Sequence, residues 1–194
     1  KKKTKEKEIA GKVLYFKIAD IEEFSLIKNE ETITLQQTKD STWRISQPLK
    51  AAGDNPETES FLSGIENLEK FRVVEKNPKD LTQYGLQNPT FKIHLKFKEG
   101  REKTLIFGHD SPMGGKIYLK FKNEPKVLLA ATSKTRFDKS VYDFRDKTIF
   151  NFSSGAINRI QIKREKHPLN LTQEKGEWWV SGEINSKADK DEVL

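Results

Sequence analysis

Residues 21–68 read IEEFSLIKNEETITLQQTKDSTWRISQPLKAAGDNPETESFLSGIENL, and a shortened copy of this stretch returns after Ile157. Ile21, Leu26, Leu35 and Gln37 recur 136 positions later as Ile157, Ile162, Leu171 and Gln173. After one deletion the offset becomes 135, and Trp43, Ser46, Asp54 and Glu57 fall on Trp178, Ser181, Asp189 and Glu192. Each copy reads as two strands, a Trp-bearing strand and a capped helix. The alternation in Thr32-Ile33-Thr34-Leu35 and in Trp43-Arg44-Ile45 puts one face of a small antiparallel sheet inward, with a turn at Asp40-Ser41. Asp54 is placed to cap the first N–H groups of the helix, Pro56 fits its first turn, and Glu57 is expected to reach back. Phe61, Leu62, Ile65 and Leu68 then share a helical face that should cover the sheet.

Outward from this stretch, Val13 and Tyr15 suggest an earlier strand, and Phe71, Val73 and Val74 a later one. Asn77-Pro78 opens a short helix that Gly85 closes in a left-handed cap. Phe91, Ile93, Leu95 and Phe97 alternate with Lys92, His94, Lys96 and Lys98, beginning a meander of about four strands that runs through Leu129. Thr132 to Phe144 is expected to be partly helical, and Ile149 to Phe152 a short strand. The expected class is α+β: antiparallel sheets with packed helices, in two related β-rich modules of which the second is truncated. The boundaries are a basic mobile arm over 1–12, a first module over 13–152, and the start of the repeated module over 153–194.

The 12 Phe and 3 Trp in 194 residues supply enough apolar area to offset chain entropy, so the chain should fold despite being 34% charged. The net charge of +7 is concentrated at the start, where residues 1–17 hold seven lysines against Glu6 and Glu8. Such a distribution argues against a nucleic-acid partner, because the body is nearly balanced. The arm reads as solvated. There is no cysteine, which excludes disulfides and thiolate chemistry. No run of about 20 apolar residues spans a membrane. The chain begins with Lys1 and stops at Val193-Leu194 in what reads as the first turn of a helix, so both ends are expected to be cuts, with any anchor upstream.

Three scattered histidines do not make a site. His94 lies on the solvent face of its strand, His109 in a turn, and His167 before Pro168, with no paired spacing for a metal or a nucleophile and base. Gly108 to Lys116 differs from a phosphate loop in spacing, in Ile117 after the lysine, and in the strand that follows, so it reads as a hairpin loop. Asp54 with Glu57, and Asp189 with Glu192, read as helix caps rather than acid–base pairs, and Asp80 with Tyr84, like Arg145 with Asp146, as structural pairs. Neither catalytic nor metal residues are expected, and no cofactor. Trp178 and Trp179 must face opposite sides of their strand, so one is expected in the core and the other on a contact surface. Lys92, Lys96 and Lys98 form a second candidate surface, together with Lys120 and Lys122.

Several landmarks follow one another: Trp43-Arg44-Ile45-Ser46-Gln47-Pro48, Asp80 to Pro89 around Tyr84-Gly85-Leu86, Ile106-Phe107-Gly108, Ile117-Tyr118, Phe144-Arg145-Asp146-Lys147, and the second Trp segment. In this order they resemble the domain of unknown function DUF4340, over nearly the whole chain after the basic arm. The resemblance implies a membrane-anchored accessory protein on the extracytoplasmic, periplasmic side of a bacterial envelope, beside an ABC-type transport system of the gliding-motility kind. It implies no catalytic residues. The expected function is therefore a non-enzymatic domain for protein interaction or assembly, with transporter components as partners and the membrane reached through an upstream anchor. A polysaccharide- or lipid-binding module is the alternative, and it asks for an open apolar cleft between sheet and helix.

Overall fold

Among the described residues, nine antiparallel strands form one sheet in the unit of residues 1–147, and four form another in the unit of residues 148–194. The computed structural model describes residues 10–164, 167–182, 184–189 and 193. In the first unit the strands are β1 (Ile21–Lys28), β2 (Glu31–Gln37), β3 (Trp43–Gln47), β4 (Ala51–Ala52), β5 (Lys70–Glu75), β6 (Phe91–Phe97), β7 (Glu102–Asp110), β8 (Ile117–Phe121) and β9 (Val127–Ala130). Their order across the sheet is β4-β3-β2-β1-β6-β7-β8-β9-β5. Two helices pack with this sheet, α1 (Asn55–Glu66) and the single turn α2 (Val141–Phe144).

The inner face follows the expected alternation. Phe24 stands opposite Leu35 and Leu95, and Leu26 opposite Ile33 and Ile93, all fully or nearly fully buried. Helix α1 lays Phe61, Leu62 and Ile65 on this face, each burial contributing about 1.5–3 kcal/mol relative to exposure. Phe24 stacks on Phe61 at 5.3 Å, while Phe144 and Phe137 meet Phe61 edge-on at 5.2 and 5.6 Å. Side chains thus fill the space between sheet and helix.

Asp54 caps α1 by accepting from the Glu57 N–H at 3.0 Å. Glu57 departs from its expected role, because its carboxylate is drawn to Lys139 at 2.6 Å, a charged partner from a distant loop. The Arg-Asp-Lys segment closes the same corner: the Phe144 carbonyl accepts from the Asp54 N–H, Ala52 accepts from the Asp146 N–H, and the Lys147 ammonium lies 3.4 Å from Asp54.

Four other expectations are corrected. Val13 and Tyr15 form no strand; Val13 donates its N–H to Leu68, and Lys12 is tied to Asn67 and bridged to Glu69, so the end of the expected arm is attached. Residues 1–9 of that arm lie outside the described residues. The helix expected from Asn77 is only a 3-10 turn over Thr82–Tyr84, closed by Gly85 at φ 67°. His109 lies in β7 rather than in a turn. Ile149, Phe150 and Phe152 form no strand and are exposed, so nothing there joins the first sheet, and the units divide after Lys147 rather than after Phe152.

In the second unit β10 (Arg159–Ile162), β11 (Leu169–Glu174), β12 (Glu177–Ser181) and β13 (Ser186–Lys187) pair in sequence order. Ile160 opposes Leu171, as Phe24 opposes Leu35; Gln173 opposes Trp178, as Gln37 opposes Trp43; Val180 opposes Ser186, as Ile45 opposes Ala51. The carbonyl of Trp43 accepts from Gly53, and that of Trp178 from Ala188. The expected second helix, with Glu192, lies outside the described residues apart from Asp189 and Val193.

Candidate functional site

The outward side chains of the large sheet make a polar row across five strands. Gln47, Thr34, Ser25, His94 and Thr104 are successive cross-strand partners on β3, β2, β1, β6 and β7. The Thr34 hydroxyl donates to Gln47 Oε1 at 3.3 Å and shares a 2.9 Å bond with Ser25; His94 Nδ1 lies 3.0 Å from Thr104 Oγ1. Ser25 and Thr34 are 8% and 7% exposed although they face away from the core. A hollow of about 390 Å³ lies over Ser25, Thr34, Gln47 and His94, and a second of about 180 Å³ lies between His94, Glu102 and Lys122.

His94 turns both ring nitrogens toward β7, with Nε2 3.7 Å from Glu102, while the Ser25 hydroxyl is held by Thr34 on the other side. Serine and histidine are neighbours in register, but each is committed to a different strand, so this is not the geometry of an activated nucleophile. Among the described residues no three His, Asp or Glu side chains are grouped to hold a metal ion. The row was missed in the sequence because each member reads only as an outward strand position. Its continuity depends on the register of five strands.

Lys92 and Lys96 share this outer face, where acidic groups interleave with them: Lys96 lies 3.4 Å from Glu22, and Gln36 bonds Glu23 at 2.5 Å. Lys98 is exposed just past the end of β6, its N–H held by the Asp20 carbonyl. Trp178 is completely buried on the face that carries Leu171, which corrects its place among the surface candidates. Strand alternation then sends Trp179 outward, 44% exposed.

The Tyr84-Gly85-Leu86 segment packs on the outer face farther along. Tyr84 donates its hydroxyl to Glu75 at 2.9 Å rather than to Asp80, and its ring lies 5.1 Å from Tyr118. That bond raises the Tyr84 pKa, because ionising the phenol would lose the donor and set two negative charges together. Asp80 instead accepts from the Thr82 N–H at 2.8 Å, which lowers its pKa. These landmark residues therefore hold a loop against β7 and β8.

Among the described residues no helix is long and apolar enough to cross a membrane. No curated protein and no solved structure matched the chain. The profile of the domain of unknown function DUF4340 matches residues 43–194, from the Trp-Pro strand through the second Trp segment. The matched span includes the residues that cap α1, seat the Tyr-Gly-Leu loop and build β12, and the chain belongs to the DUF4340 family.

Proposed function

We propose that this chain is a non-enzymatic interaction module, built from two related β-rich units of which residues 153–194 hold the start of the second, serving assembly of an envelope transport machine. The observation that carries this reading is where apolar surface is left in water. Ile149, Phe150, Phe152, Ile162, Trp179 and Ile184 are all exposed within residues 148–194, a density that suits a contact surface. The shared pairing register of β1–β4 and β10–β13 supports the relation between the units. The polar row, whose hydroxyls are satisfied by one another, fits a recognition surface better than a reaction centre.

The family resemblance supplies the setting: an extracytoplasmic location, an upstream membrane anchor, and components of an ABC-type transporter as partners. Affinity capture of the native protein from detergent-solubilised envelopes tests this. Recovery with identified transporter subunits supports the reading, and recovery as a soluble protein without them overturns it. A polysaccharide- or lipid-binding role asks for an open cleft between sheet and helix, where Phe24, Phe61 and Phe144 stand in contact.

A further inference from the structure

On the outward face of the large sheet, Lys92 of β6 stands between Ile27 of β1 and Ile106 of β7, and Ile106 stands opposite Lys120 of β8. His94 and Thr104 lie one row away on the same face, their side chains joined at 3.0 Å. The N–H of Lys122 donates to the Thr104 carbonyl at 3.0 Å, which brings this lysine alongside. Ile27, Ile106, Lys92, His94, Thr104 and Lys122 line a hollow of about 260 Å³. The strands beneath it, β1, β6, β7 and β8, are each paired on both sides within the first unit.

The charge around this hollow is of one sign. Other lysines of the unit are neutralised: Lys96 lies 3.4 Å from Glu22, Lys126 lies 2.8 Å from Glu124, and Lys28 is paired with Asp138. Among the described residues, the ammonium groups of Lys92, Lys120 and Lys122 have neither an ion pair nor a hydrogen bond. No carboxylate lines the hollow; Glu102 lies in the neighbouring one and is turned to His94 Nε2 at 3.7 Å. Like charges set about a partly apolar hollow repel one another, so an anion between them is favoured. The patch is also small, because Glu23 and Glu102 stand on either side of Lys96, the next outward lysine of β6. A run of phosphates would meet these carboxylates, whereas a single anionic group would not.

Lysine offers compact point charges rather than the planar fork with which arginine grips a carboxylate, and a phosphoryl group presents three acceptor oxygens. We propose that this hollow binds a phosphate monoester whose organic part is apolar. Lys92, Lys122 and the Thr104 hydroxyl donate to the phosphoryl oxygens, Lys120 adds its charge from beside Ile106, and Ile27 and Ile106 cover the apolar part. A soluble ester and the headgroup of phosphatidic acid share this chemistry. The site does not rest on the assembly reading.

The test uses the whole chain with phenyl phosphate, inorganic phosphate, benzoate, and phosphatidylcholine vesicles with or without phosphatidic acid. Phenyl phosphate is expected to bind about tenfold more tightly than inorganic phosphate or benzoate, since only it offers both the apolar part and the third oxygen. It should shift the amide signals of residues 92–94, 104–106 and 122 in NMR spectra. Replacing Lys92→Gln and Lys122→Gln together should weaken it about tenfold while the circular dichroism spectrum stays unchanged. Lys39→Gln with Lys50→Gln removes the same charge from exposed positions outside the hollow and should leave binding as it was. Retention on phosphatidic acid vesicles that is lost with Lys92→Gln and Lys122→Gln identifies the lipid as the source; phenyl phosphate binding without retention identifies a soluble ester. No binding of phenyl phosphate, equal affinity for benzoate or inorganic phosphate, equal loss in the two double variants, or shifts confined to other residues overturns the proposal.

Discussion

A Cβ on Gly108 would lie 2.0 Å from the Tyr84 carbonyl oxygen, so the backbone of β7 meets that of the Tyr-Gly-Leu loop with no room for a side chain. Gly108→Ala should therefore push the loop off the sheet and cost about 1–3 kcal/mol, as overpacking does. Gly155→Ala, where the nearest atom is 3.8 Å away, is the control and should change little. Urea unfolding of both variants checks this, together with loss of Tyr84–Tyr118 proximity in the first alone.

Trp43 and Trp179 should behave oppositely. Trp43→Ala empties a site against Phe24, whose ring lies 5.6 Å away, and should cost about 3–5 kcal/mol. Trp179→Ala removes a side chain that is 44% exposed and should stay within about 0.5 kcal/mol. Chemical denaturation gives both values, and a stable Trp43→Ala protein would refute its core role.

The buried pair Ser25 and Thr34 offers a double-mutant cycle. Thr34→Val leaves the Ser25 hydroxyl and Gln47 without their partner and should cost about 1–3 kcal/mol. Adding Ser25→Ala removes one stranded group and should recover part of that loss. A cycle with no coupling would mean that the row does not act as a network.

Two groups link stability to pH in opposite directions. Asp143 accepts from both the N–H and the hydroxyl of Ser140 at 2.7 Å, which lowers its pKa; that stabilisation is present above its unfolded pKa and is lost as pH falls through the lowered one. Asp143→Asn should flatten the acid side of the stability profile. The Tyr84 pKa is raised by Glu75, so its contribution is present below the unfolded pKa and is lost as pH rises through the higher one. Ultraviolet titration should show one phenol ionising late, and Glu75→Gln should bring it back toward the usual range.

Short-range pattern carried much of the architecture. Asp54 could be read as a cap because an N-cap and the N–H it accepts are three residues apart, and the meander from Phe91 could be read because alternate residues of a strand share a face. The partner of Glu57 could not be read, since Lys139 arrives from a distant loop and outcompetes the local N–H. Tyr84 bonds Glu75, on the edge strand beside β9, rather than the nearer Asp80 for the same kind of reason. Ile149 to Phe152 has a strand-like composition, but among the described residues no strand pairs with it.

The polar row shows the same division at the candidate site. Its five members lie on five strands and become one row only through cross-strand register. Alternation along the chain was enough to say that Trp178 and Trp179 face opposite ways. Assigning Trp178 to the inside took the assembled sheet. Periodicity is a property of neighbouring residues, whereas burial and strand pairing depend on surfaces brought together from far along the chain.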